Sequence, residues 1–244
     1  MTQVKYSARC ALLLIFFTLA PYSYAGIDKS KPIPSPEIVQ ARVWQNMVFQ
    51  DFLMSGFIKI KDKFHPILLR TKERTMIYEF QKIPLHIKVT FTPQGSHIMT
   101  RAKTGDPWHL LSFEERKKII LDSDIAYEDL GLDFIRWHNV KPLGADSILT
   151  LPAWAYESRP SIPSRYAKAH YWISSDHLAL LRVDAFNAKD QVVKKVEILG
   201  VMEVNGYFMP KELRIATMIP GRNLSRSRTL IQVRKAQAGS GISD

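Results

Sequence analysis

The chain has 244 residues, 46% of them hydrophobic, which is enough for one sizeable core or two small ones. Its formal net charge is +11, and loss of Lys5 and Arg9 with an N-terminal signal segment would leave +9. The only cysteine, Cys10, lies in that segment, which excludes disulfides, thiol catalysis and zinc–thiolate sites from the mature chain.

Residues 1–25 have the pattern of a signal peptide. Lys5 and Arg9 precede the apolar run Ala11–Ala20, and small residues occupy positions 23 and 25. Ten apolar residues are too few to span a bilayer, which disfavours the alternative of an uncleaved anchor. We therefore expect cleavage after Ala25 and export from the cytoplasm.

Export and positive charge together indicate the kinds of partner to expect. Nucleic acid is not expected outside the cytoplasm. A basic surface there is expected to meet anionic lipid headgroups or an acidic partner, or only to keep the protein soluble. The densest basic cluster is C-terminal, with Arg222, Arg226, Arg228, Arg234 and Lys235, and is interpreted as a solvated strand-end face.

The predicted elements begin after a mobile, proline-rich leader at residues 26–34. Ser35 and Pro36 are typical of the start of a helix, as N-cap and first helical residue. Apolar residues then recur at intervals of three and four, which predicts a helix to about Leu53. The residues that carry this spacing are Ala41, Trp44, Val48 and Phe52.

From Gly56 to Ala102 the apolar period changes to two, which predicts an antiparallel meander with one apolar face. The clearest strand is Leu85–Phe91, where apolar and polar side chains alternate. Ser112 and Glu115 then form the spacing of a capping box, which marks a short helix.

Residues 124–137, DIAYEDLGLDFIRW, are called the plug. Asp124 can cap a helical turn, and Glu128 and Asp129 fall in its first turn, where the helix dipole favours anions. The five apolar residues that follow are too irregularly spaced for one helix or strand. The pattern indicates a helical turn plus an extended segment laid over an apolar surface.

Strand patterns resume from Ser147 to Val233, and Asn205-Gly206 is the strongest hairpin signal. The predicted fold is α+β: an open, incomplete antiparallel β-barrel of about ten or eleven strands, with helices covering the mouth. The predicted domain is 35–235, followed by a flexible tail at 236–244.

No pattern in the chain predicts an enzyme, a metal or a cofactor. The seven histidines lack the spacing of a metal motif, and neither a nucleophile elbow nor a phosphate loop occurs. Glu128, Asp129 and Asp133 could serve glycoside cleavage as paired carboxylates. Placement at a helix N-terminus is the favoured explanation of them.

Aromatic residues are concentrated around the plug and the strands that follow it. They are either ordinary core residues or the lining of a cavity with broad apolar contact for acyl chains, and both interpretations stay open. These candidate ligand-binding residues are Trp108, Phe134, Trp137, Trp154, Tyr156, Tyr171 and Trp172.

The run YEDLGLDF at Tyr127–Phe134, followed by Arg136-Trp137, resembles the signature of the outer-membrane lipoprotein-sorting family, with its LolA/LolB-like fold. The strand series from Tyr166 to Ile198 and the hairpin region VMEVNGYFMPKELRI are similar in kind. The resemblance implies a periplasmic half-barrel that binds an acyl chain without chemistry, and it supplies no catalytic residue.

The resulting hypothesis is a non-enzymatic periplasmic carrier or chaperone that binds the acyl chains of lipoproteins, or another lipid, for sorting to the outer membrane. Inner- and outer-membrane sorting components are its possible protein partners. An alternative is an envelope sensor or structural partner that uses the same barrel to bind a protein. A remote alternative is an envelope hydrolase that acts through the plug carboxylates.

Overall fold

The computed structural model describes residues 32–46, 49–204 and 207–238. The predicted signal peptide, its cleavage site and most of the predicted leader lie outside these ranges. The elements are α1 Pro36–Asn46, β1 Phe49–Ile60, β2 Lys63–Glu73, β3 Thr75–Phe80, β4 His86–Thr92, β5 Gly95–Arg101, β6 His109–Leu110, α2 Phe113–Arg116, β7 Lys141–Ile148, β8 Leu151–Ser158, β9 Lys168–Ser174, β10 Leu180–Phe186, β11 Val192–Val204, β12 Tyr207–Met218 and β13 Ser225–Ala238. Two 3₁₀ turns, Tyr127–Gly131 and Asp133–Ile135, lie in the plug.

All thirteen strands belong to one antiparallel sheet in the order β6-β5-β4-β3-β2-β1-β13-β12-β11-β10-β9-β8-β7. Neighbouring strands are joined by hairpins on both sides of the central pair, in which β1 is bonded to β13. The edge strands β6 and β7 are not bonded to each other, so the sheet is not closed.

The plug shows that the sheet is strongly curled. Asp133 accepts hydrogen bonds from Ser96 of β5, while the carbonyl of the next residue, Phe134, accepts one from the Ser158 hydroxyl of β8. These strands are second and twelfth in the sheet order. In a flat sheet they would be about 48 Å apart, at about 4.8 Å per strand. The sheet therefore wraps around the plug as an open barrel.

The core lies on the inner face of this curled sheet. In β4, Ile87, Val89 and Phe91 are at most 2% exposed, whereas the residues between them are half-buried, so the predicted alternation is confirmed. The same cluster takes side chains from α1, from the plug and from strands on both sides of the sheet. One apolar interior thus joins the two halves of the chain.

The helix predicted to run to about Leu53 is too long. In the structure α1 ends at Asn46, and β1 begins at Phe49. Phe52 and Met54 are buried two residues apart, at 4% and 5% exposure, as in a strand. Phe52 fits both the helical and the strand period, so spacing alone did not separate them. Pairing of β1 with both β2 and β13 decides for the strand.

The sheet has thirteen strands, where the sequence indicated ten or eleven. The two-residue β6 is too short to show a pattern, and the start of β7 carries Pro142 and Gly144 instead of alternating apolar residues. Helices across the mouth are not confirmed: the segment on the inner face consists of α2, the two 3₁₀ turns and irregular chain. The last strand continues to Ala238, three residues into the predicted tail.

Candidate functional site

The plug is attached to the centre of the sheet at its first residue. The buried Asp124 carboxylate accepts hydrogen bonds from the hydroxyls of Ser227 and Thr229 on β13 and from the backbone N–H of Thr217 on β12. The Asp124 N–H in turn donates to the Thr229 hydroxyl at 2.8 Å. Because Thr229 is fully buried, this contact fixes the start of the plug to the inner face.

The middle of the plug is held by Asp129. Its carboxylate accepts from the backbone N–H of Ala126, from the Tyr166 hydroxyl at 2.7 Å and from the Lys194 ammonium. Lys194 is only 5% exposed although its side chain is charged. Burial and the Asp129 charge together raise the pKa of Tyr166 well above its ordinary value, so the phenol is held as a proton donor to Asp129.

The neighbouring Glu128 faces the loop between β8 and β9. It accepts a hydrogen bond from Ser164 at 3.2 Å, and the Arg165 guanidinium lies 3.8 Å away. Burial, followed by the charge of Asp129, raises the pKa of Glu128. The two adjacent carboxylates thus differ in environment, because only Asp129 has a buried ammonium partner.

The end of the plug is held by Asp133. Its carboxylate accepts from the Ser96 N–H and hydroxyl, both at 2.9 Å, and from the guanidinium groups of Arg116 and Arg136. Gly131 makes this possible, because a Cβ there would lie 2.1 Å from the Ser96 hydroxyl oxygen. Burying this charge requires the two arginines.

A cleft opens where the plug meets α2, the 159–167 loop and strands β9 to β11. Its apolar lining includes Phe113, Phe134, Trp137, Ile162, Pro163, Ala169, Val183, Ala185 and Val196. Polar groups come from Arg116, Glu128, Asp129, Asp133, Ser164, Tyr166 and Lys194. A largely apolar lining that includes charged groups of both signs suits an amphiphilic ligand.

The cleft leaves a volume of about 40 Å³. An apolar cavity of about 150 Å³ is needed to hold benzene. The cleft therefore has room for a few water molecules and not for an acyl chain, and most of the space inside the curled sheet is filled by side chains of the plug and the core.

The seven aromatic candidates do not lie together. Phe134 and Trp137 line the cleft. Tyr156 and Tyr171 are stacked 5.7 Å apart on the inner face beside Phe134, and Trp154 is packed against the same core. These five share the inner face of the sheet with the plug. Ligand contact by them stays a prediction.

The other two candidates lie away from that face. Trp172 belongs to a separate small cluster with Ala155 and Leu181, and its indole N–H donates to Asp146 at 2.8 Å. Because Tyr171 points inward, its neighbour Trp172 points outward. Trp108 is flanked by Lys88 and Arg101 at 5.2 and 4.3 Å from its ring. Neither ring lines the cleft.

Sequence reasoning missed the partners of the plug carboxylates. Dipole placement accounts for Asp129 in part, since it bonds the N-cap N–H of a 3₁₀ turn. Its stronger partner, Lys194, and the Ser96 partner of Asp133 lie far away in sequence. Lys194 carries a weak local signal, because a lysine at an inward position of β11 breaks the apolar alternation and requires a buried acid.

Two further findings concern the described residues as a whole. They contain no helix long and apolar enough to cross a membrane. They also contain no group of three His, Cys, Asp or Glu residues placed to hold a metal ion.

Solved structures share the fold at low sequence identity. A DUF1329 family protein from Desulfovibrio piger is 18% identical, with a TM-score of 0.67, over 88% of this chain and 96% of that one. A domain from Vibrio parahaemolyticus, described as an outer membrane lipoprotein-sorting protein, is 14% identical, with a TM-score of 0.61, over 86% and 96%. A LolA superfamily protein from Nitrosomonas europaea is 12% identical, with a TM-score of 0.59, over 85% and 95%.

These likenesses confirm the LolA-like fold that the plug sequence suggested. No curated protein sequence matches the chain. Residues 105–244, which include the plug and strands β6 to β13, match the sequence profile of a family described as "-like: Uncharacterized protein". The chain belongs to this uncharacterized family and has the fold of the LolA superfamily.

Proposed function

We propose that the chain is a non-enzymatic carrier of the cell envelope that binds the acyl chains of lipoproteins, or another lipid, beneath the plug. The observation that carries the proposal is how the plug is attached. Every backbone–backbone hydrogen bond described for residues 124–137 closes within residues 118–137. The plug is held to the strands by side chains, so it can leave the inner face without breaking the sheet.

Movement of the plug is required because the cleft is too small for a hydrocarbon chain. The plug covers an inner face whose buried residues are largely apolar. An acyl chain that replaced the plug there would gain about 0.8 kcal/mol for each buried CH₂ group. This gain would have to offset both the loss of the plug's carboxylate contacts and the exposure of its buried apolar side chains, such as Ile125, Ile135 and Trp137.

The polar lining of the cleft suits the polar end of such a ligand. Arg116 and Lys194 pair with Asp133 and Asp129 while the plug is in place, so they would offer positive charge once the plug leaves, and Ser164 and Tyr166 would offer hydroxyl groups. Export to the periplasm and delivery to the outer membrane extend the proposal. They draw support from the predicted signal peptide and from the description of the structural relative in Vibrio parahaemolyticus.

The test is binding of a dansyl-labelled fatty acid, followed by fluorescence. Ile162→Asp places a charge on the cleft lining at a side chain that is already 41% exposed, so the fold should tolerate it. We expect at least about tenfold weaker binding. Leu143→Asp, at a similarly exposed leucine on the edge strand β7, is the matched control and should bind as the unsubstituted protein does.

Native mass spectrometry of protein purified from the periplasm tests the same proposal without a chosen probe. The expected result is a population with the added mass of one lipid or acylated peptide. Bare polypeptide alone, together with no binding of the labelled fatty acid, would exclude the carrier function.

The filled interior favours a second candidate function, in which the same fold binds a protein while the plug stays in place. A sensor or structural partner needs no cavity, so a cleft of only about 40 Å³ is compatible with this function. This function predicts that a pulldown from envelope extracts enriches one membrane protein, and that Ile162→Asp leaves lipid content unchanged.

A further inference from the structure

The outer face of the sheet carries a basic patch centred on an exposed phenylalanine. Phe64 of β2 is 57% exposed, and Lys59 lies opposite it on β1 with its ammonium 5.3 Å from the ring centroid. Phe57 meets the Phe64 ring edge-on at 4.9 Å. Arg234 covers Phe57 at 5.1 Å. The exposed ring is thus held in a fixed position among cations.

More positive charge lies at the same end of the three central strands. Lys61 and Lys63 flank the β1–β2 turn, and Leu230 of β13 is paired with Lys59. Arg228 and Arg226 therefore follow on the same face of β13, two and four residues from Leu230. The side chains of Lys61, Lys63, Arg226 and Arg228 are exposed. The basic patch is Lys59, Lys61, Phe64, Lys63, Arg226 and Arg228.

The cations of the patch are not neutralised within the protein. None of its five basic residues forms an ion pair with another residue in the part of the chain that the structure describes. Other cations on the outer face do have acidic partners, as in Arg214 with Glu197 and Arg182 with Asp184. The single carboxylate within the β1–β2 turn is Asp62. The patch is thus an uncompensated positive surface.

We propose that the basic patch docks the protein on an anionic lipid surface. The outer face of the curled sheet is convex, so it fits a broad surface better than an extended peptide. Clustered Lys and Arg side chains are attracted to anionic headgroups, and an aromatic ring among them can enter the interfacial region. An acidic protein partner would instead predict that the chain does not bind anionic vesicles.

The experiment is co-sedimentation of the mature chain, purified from the periplasm, with vesicles of phosphatidylglycerol and phosphatidylcholine, compared with phosphatidylcholine alone. The chain should bind the anionic vesicles, and added salt should weaken binding. Arg226→Glu/Arg228→Glu should weaken it at least about tenfold. Lys72→Glu/Lys103→Glu makes the same charge change at exposed residues outside the patch and should have little effect.

A second variant reports on the ring itself. Phe64→Trp should show a blue shift of its fluorescence, measured against the unsubstituted protein, when anionic vesicles are added. Equal binding by the Arg226→Glu/Arg228→Glu variant and the unsubstituted protein would overturn the proposal, and so would binding with no blue shift. The patch is on the opposite face from the cleft, so vesicle binding and fatty-acid binding can fail independently.

Discussion

Asp133 shows what one buried carboxylate does in this protein. Its side chain is 10% exposed and lies between Arg116 and Arg136, which are also largely buried. Asp133→Asn would remove the carboxylate charge that these two guanidinium groups share. We expect a loss of about 3 kcal/mol in the free energy of unfolding, measured with urea.

The control for Asp133→Asn is an exposed ion pair. Glu114 contacts Lys117, but its side chain is 76% exposed. Glu114→Gln should therefore cost less than about 1 kcal/mol. Equal losses for the two variants would contradict the role of Asp133 as the buried anchor of the plug.

Glu157, on the outer face of the sheet, makes the stability of the fold depend on pH. Burial alone would raise the pKa of this carboxyl, but hydrogen bonds from His170 and Lys168 and nearby positive charge outweigh burial and lower the pKa to about 2. The ionised carboxylate therefore stabilises the fold at pH values above 4.5, the ordinary pKa of the group, and this contribution is lost as the pH falls toward 2.

Glu157→Gln tests this pH dependence. At pH 7 the variant should be about 1 to 2 kcal/mol less stable, because solvent screens part of the interaction. Urea unfolding at a series of pH values should show the difference shrinking below pH 4.5. Glu203→Gln, at an exposed position of β11, is the control, and a constant deficit for Glu157→Gln at all pH values would contradict the assignment.

At the scale of elements, the plug behaves as a separate unit bound to the inside of the sheet. Asp124→Ala removes the contacts to Ser227, Thr229 and Thr217 while leaving the strand pairing intact. Amide hydrogens of residues 124–137 should then exchange faster, and the labelled fatty acid should associate faster if the plug is the gate.

Asp176→Ala is the matched control, since Asp176 is exposed in the β9–β10 turn and does not contact the plug. Its exchange and association rates should equal those of the unsubstituted protein. Faster exchange in Asp124→Ala without faster association would separate plug mobility from ligand entry and would count against the carrier function.

At the scale of the whole molecule, one core joins the first and second halves of the chain. The main apolar cluster includes residues of α1, of strands on both sides of the sheet and of the plug. We therefore expect a single cooperative transition, with tryptophan fluorescence and far-ultraviolet circular dichroism unfolding together. Two separated transitions would contradict the predicted single domain 35–235.

Sequence patterns predicted those features that depend on neighbouring residues. The alternation of Leu85–Phe91 predicted β4, and the Ser112–Glu115 spacing predicted the capping box, which the structure contains with both hydrogen bonds. The Asn205-Gly206 pair predicted the hairpin between β11 and β12, where Val204 is paired with Tyr207. Each of these signals lies within a few residues of the structure that it specifies.

Features that depend on residues far apart in the chain could not be predicted from local sequence patterns. The Asp124–Thr229 contact joins residues 105 positions apart, and Asp133–Ser96 joins residues 37 apart. The filled state of the interior depends on how the plug side chains fit between the strands, and composition does not specify that fit. The sequence therefore located the plug but not its partners or the size of the cleft.

The pairing of β1 with β13 has a consequence for how the chain is made. The first strand obtains its second neighbour only when β13 has been made, so the central part of the sheet cannot form before then. Until then β1 and β12 each keep an unpaired edge, and the nascent polypeptide stays unfinished. Such delayed completion is compatible with the predicted export, because a chain that is not yet folded can pass a narrow channel in an extended state.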